Sequence, residues 1–159
     1  QLLISGHIEE ALARLADALE ELGEPLAATP RAALLAVLWR RLLLGIRGIG
    51  WTERSAGEIS DAERAKLQVV GAAALGLSMV DSIRGAAFNA RFAQLALATG
   101  DPVQVARALG TEATMSAYQG KFARAAKMGR AVVEIAARHP SDPYIGAWCA
   151  IARGGLAFT

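Results

Sequence analysis

Residues 5–25, "SGHIEEALARLADALEELGEP", return in altered form at residues 119–143, "QGKFARAAKMGRAVVEIAARHPSDP". Each stretch has a glycine in second place, a small residue five positions later, and apolar residues at helical spacing up to a proline. At 100° per residue, Ile8, Ala11, Leu12, Leu15, Ala18, Leu19 and Leu22 make one stripe with the acids opposite. Phe122, Ala125, Ala126, Gly129, Val132, Val133 and Ala136 do the same in the second stretch. Gly6 and Gly120 are placed for a tight turn between two helices. Ala11 and Ala125 then fall where those helices come closest, and a larger side chain would hold them apart.

Working outward, further helices are punctuated by their caps. Thr29 as N-cap and Pro30 in the first position open "PRAALLAVLWRRLLLGIR". That helix is apolar nearly all round (Leu34, Leu35, Val37, Leu38, Trp39, Leu42, Leu43, Leu44, Ile46), the pattern of a central helix covered on several sides. Residues 48–60 lack a helical period and read as the longest loop. Ser60 with Glu63 forms a capping box opening a third helix to about Val80, and Asp81–Ser82 restarts the chain for a fourth. "TGDP" ends the fourth and starts a fifth running to Gln119. A sixth runs from Lys121 to Arg138, and Asp142–Pro143 opens a seventh. Short connections make sequential helices antiparallel neighbours. The expectation is one all-α domain over 1–159, seven helices plus the stub "QLLIS", with an irregular unit near 30–60 because the Trp39 helix is left without a partner. The absence of an initial methionine and the apolar end "IARGGLAFT" read as a piece cut from a longer chain.

Composition narrows the function. Of 159 residues 53% are hydrophobic but only 6% aromatic, so the apolar mass is helix-favouring alanine and leucine. The net charge of +2 is uneven: Glu9, Glu10, Asp17, Glu20, Glu21 and Glu24 against Arg14 leave residues 1–30 at −5 and the rest at +7. Arg40 and Arg41 split the most apolar stretch, which argues against a membrane span. The single cysteine, Cys149, is expected to be a small buried hydrophobe; no disulfide framework and no signal peptide place the chain in the cytoplasm. His7 and His139 have no second ligand at metal spacing, and no Gly-x-Ser-x-Gly or phosphate-binding loop occurs. No catalytic residue, metal or cofactor is expected, and the segment is read as non-enzymatic.

The glycine-led pattern resembles the second helix of the tetratricopeptide repeat (TPR): Gly6, Ile8, Ala11, Leu15, Ala18 and Pro25, then Gly120, Phe122 and Ala125, with Leu109 and Ala113 on the preceding helix. Gly129 is small where the family has bulk, and the tryptophan and tyrosine marks of its first helix are missing. The resemblance implies hairpins stacked as a TPR-like solenoid. Longer phrases, "ISGHIEEALARL", "GLSMVDSIRGAAFNARFAQLALATGDPVQVARAL" and "SAYQGKFARA", resemble the helical-repeat region of large bacterial serine/threonine protein kinases that also carry an ATPase module. In such proteins this region would recognise a partner or effector, and no kinase motif lies within it.

Two basic groups are the candidate partner-binding residues. Arg40, Arg41, Arg47, Trp51 and Arg54 crowd the end of the apolar helix and the following loop. Lys121, Arg124, Lys127 and Arg130, with Arg138, share one side of the sixth helix. The leading expectation is a protein–protein interaction or scaffold module for a peptide, a protein or other domains of the parent chain. The rivals are an effector-sensing domain with a small-molecule pocket and, against the acidic first helix, nucleic-acid binding.

Overall fold

The computed structural model describes residues 8–157, with all side chains in that range except those of Ile8, Glu9, Ala11 and Leu156. Gly6 and the "QLLIS" stub therefore lie outside the described residues, as does the side chain of Ala11. Among the described residues there are seven α-helices and no strand: α1 (Ile8–Glu21), α2 (Pro30–Arg47), α3 (Asp61–Val80), α4 (Ser82–Thr99), α5 (Pro102–Tyr118), α6 (Phe122–Arg138) and α7 (Pro143–Ala157). The all-α expectation holds, helix by helix. The 48–60 loop contains one 3-10 turn, Ala56–Glu58.

The caps are those the sequence proposes. Thr29 Oγ1 accepts from Ala32 N, Ser60 and Glu63 complete their capping box, and Asp101 accepts from Val103 N and Gln104 N. Each satisfies amide groups that the first turn of a helix leaves open.

The described chain divides into two compact units. One holds the residues up to Gly48 together with Ser60–Leu95; the other holds Ile49–Ile59 and the residues from Ala96 on. α4 contributes residues 82–95 to the first and 96–99 to the second.

In the first unit α1 packs on α3. Leu19, Leu67, Val70, Ala73, Ala74, Leu77, Phe88 and Phe92 are among its buried core residues. α3 and α4 meet at close range: a Cβ built on Gly85 would lie 2.7 Å from both the Cα and the backbone N of Ser78. Ser78 Oγ in turn accepts from Asn89 Nδ2 at 3.1 Å and donates to Ala74 O at 2.6 Å. Gly85→Ala must push the α3 and α4 backbones apart here, so it is expected to cost about 2 kcal/mol, measured by urea unfolding.

In the second unit α5 packs against both α6 and α7, and α6 against α7. Gly120 turns the chain between α5 and α6 at φ 72°, with Gly120 N donating to Ala117 O and Lys121 N to Ser116 O. Ala125 is fully buried on α6, and Leu109 and Ala113 are buried on α5. The buried face of α6 is Ala125, Met128, Gly129, Val132 and Ile135, whereas Phe122 and Val133 are exposed. This corrects the predicted stripe. Two neighbours, α5 and α7, turn the covered arc toward Met128 and Ile135. Cys149 is half-buried on α7, not fully enclosed as expected.

Candidate functional site

The largest departure from the sequence reading lies on α2. Only Ala33 and Leu44 are buried in that helix. Leu34, Leu35, Leu38, Trp39, Leu42, Leu43 and Ile46 are all exposed, Leu35 to 67% and Ile46 to 76%. The expectation of a central, covered helix is thereby corrected. α2 is held to its unit along one narrow seam. Arg40 donates to Ala87 O at 3.3 Å and stacks over the Phe88 ring at 4.9 Å, while Gln94 Nε2 donates to Arg40 O at 2.8 Å. A single seam covers less than half of a cylinder that is apolar nearly all round, so the remaining apolar side faces water.

Projected at 100° per residue, the seven exposed residues fill one half of the helix surface. They form two rows, Leu34–Leu38–Leu42–Ile46 and Leu35–Trp39–Leu43, broken within that half only by Arg31 near the N-terminus and by Ala32 and Gly45. Arg41 and Arg47 fall outside the arc, and each has interactions within the chain.

Behind this face sits the most charged interior of the first unit. Glu24, 4% exposed, follows α1 in the connection to α2. Arg91 Nε donates to both of its oxygens at 2.9 Å and Nη2 to Oε1 at 2.5 Å. Lys66 Nζ lies 2.9 Å from Oε1 and also donates to Leu22 O at 3.0 Å; Arg40 Nη2 lies 3.5 Å from Oε2. Burial pushes the Glu24 carboxyl up, but the hydrogen bonds and charges of Arg91 and Lys66 outweigh it and hold the group below the ordinary carboxylate range. Burial pushes the Arg40 guanidinium down, against the opposing pull of Glu24. One carboxylate thus ties α2, α3 and α4 to the end of α1.

The first predicted basic group is divided between the units: Arg40, Arg41 and Arg47 belong to one, Trp51 and Arg54 to the other. Arg40 points into the Glu24 cluster. Arg54 donates from its backbone N to Gly100 O at 2.9 Å, from Nη1 to Thr99 O at 3.3 Å, and from Nη2 to Glu58 O. Trp51 is half-buried, with the Arg138 guanidinium over its ring at 5.3 Å. Arg138 also pairs with Glu53 Oε2 at 2.8 Å, and His139 Nε2 lies 2.9 Å from Oε1. On α6, Lys121, Lys127 and Arg130 are exposed, and the half-buried Arg124 lies 3.7 Å from the buried Glu112 of α5. Lys121 Nζ donates to Gln119 Oε1 at 3.0 Å.

Sequence reasoning missed Glu24 as a centre, counting it with the acidic helix before it. The available signal was its place in "GEP", beyond the helix and off its solvated face. Among the described residues no group of histidine, cysteine and carboxylate side chains could hold a metal ion, and no helix is long and apolar enough to cross a membrane. No protein family, curated protein or solved structure matches the chain.

Proposed function

We propose that this chain is a non-catalytic protein–protein interaction module, built from TPR-like helical hairpins, that docks through the exposed face of α2. It serves as the partner-binding or regulatory region of a larger bacterial signalling protein with kinase and ATPase modules. One observation carries the reading: seven large apolar side chains lie on one exposed half of a helix whose other side is fastened by Arg40 and Gln94. Surfaces of that kind are built for association, because leaving them in water forgoes the hydrophobic stabilisation that burial brings. The TPR-like element of the proposal rests on the turn at Gly120, the buried Ala125 beyond it, and the packing of α5 against both α6 and α7.

The test is quantitative affinity capture of the intact protein from its own cells, compared with the Leu35→Glu/Leu42→Glu variant. At least one associated chain, a second copy included, should fall by about tenfold or more, the scale of losing an apolar anchor. An unchanged set of associated chains refutes the reading.

A further inference from the structure

We infer that the occupant of the α2 face is the α2 face of a second copy of this chain, the two helices pairing antiparallel about a two-fold axis near Leu38 and Leu42. This deepens the interaction reading above and rests on it. Three observations carry it.

The first is area. The seven exposed side chains present on the order of 750 Å², above the roughly 300–600 Å² of the largest patch on an ordinary monomer and close to the roughly 800 Å² that each partner contributes to a stable interface. Two such faces meeting bury the central strip of each, with the outer residues of the arc at the rim.

The second is the layout of the face. Its two rows run from Leu34 to Ile46, about 18 Å along the helix at 1.5 Å per residue. An antiparallel two-fold places Leu34 opposite Ile46 of the second copy and Leu38 opposite Leu42, so that apolar meets apolar along the whole length. The isologous geometry uses the same patch twice, as most homodimers do.

The third is charge. Arg31 is the one charged residue within the arc, and it lies in the first turn of α2. A parallel pairing would set it against its own copy. The antiparallel pairing instead sets it near the last turn of the other α2, whose carbonyls carry partial negative charge and whose own Arg47 falls outside the arc. Nothing else in the arc selects a partner of particular charge, and the face complements itself.

The experiment follows the association state of the intact protein by sedimentation velocity up to about 100 µM, a range that reveals dissociation constants far weaker than those of a standard interface. The wild type is expected to be a dimer. Leu38→Glu and Leu42→Lys should each be monomers with unchanged helical circular dichroism, the dimer weakened by at least about 100-fold. Mixing these two variants should restore a dimer, because position 38 of one chain faces position 42 of the other. A wild type that stays monomeric overturns the inference, as does a dimer that survives both substitutions or a mixture that remains monomeric. In living cells, p-benzoylphenylalanine at position 38 should give an adduct of twice the chain mass. Adducts only of another mass overturn the second copy but leave the interaction reading intact. No adduct at all overturns both.

Discussion

Replacing Glu24 with alanine is expected to destabilise the first unit by about 3–5 kcal/mol, the scale of removing one member of a buried ion cluster. The size follows from what remains. Arg40, Lys66 and Arg91, each more than two-thirds buried at the side chain, would keep three positive charges around an empty centre. Their mutual repulsion and lost solvation have no counter-charge within the cluster. The cost measures the broken set, not the net worth of the intact one, which an apolar replacement of all four members could match. The same carboxylate gives the chain an acid limit. Its folded-state pKa is held below the ordinary value of 4.5. Its contribution is therefore fully present above that ordinary value and is lost as pH falls through the lowered one. Stability from urea melts should be insensitive to this group near neutrality and fall below about pH 4.5. In Glu24→Gln the loss is already present at neutral pH, and the acid-dependent share of the slope is reduced.

Gly100→Ala is the second large effect, about 3 kcal/mol from left-handed backbone strain and overpacking together. Gly100 ends α4 at φ 77°, where an L side chain is strained. The added Cβ would also lie 2.2 Å from the carbonyl oxygen of Thr52. That oxygen cannot simply retreat, because the next residues are fastened: Arg54 N donates to Gly100 O and Arg54 Nη1 to Thr99 O. Calorimetry should show a midpoint lowered by roughly 10 °C, at about 2–4 °C per kcal/mol for a chain of this size. A shift within about 2 °C would mean that the loop yields and the contact is not tight.

What is readable in the sequence is what local chemistry determines. Thr29–Pro30, Ser60–Glu63 and Asp101–Pro102 mark helix starts because a side-chain oxygen must reach amides two or three residues on, a distance within the local chain. Gly120 is readable because only glycine takes a positive φ at little cost. The Glu24 cluster is hidden because its partners stand 16 residues away at Arg40 and 67 away at Arg91, and no pattern in one sequence links such positions. The face of α2 is half readable. Periodicity shows that the helix is apolar nearly all round, but which side a neighbour covers depends on Arg40 and Gln94 finding each other across tertiary space. For α6 the stripe is turned because two neighbours, not one, set its covered arc. The Arg40–Trp51–Arg54 group looks like one site because the residues are close in sequence, yet they serve different units.

The segment Ile49–Ile59 carries a temporal consequence. Arg54 is anchored 45 residues downstream at Thr99, and Glu53 is anchored 85 residues downstream at Arg138. At ribosomal speeds of roughly 5–20 residues per second, Glu53 is incorporated about 4–17 s before its arginine. Through that interval Trp51 has no Arg138 to rest against, and the nascent chain carries an aromatic anchor with nowhere native to dock. The segment around Arg138, leaving the exit tunnel, completes a fastening that was begun near residue 50.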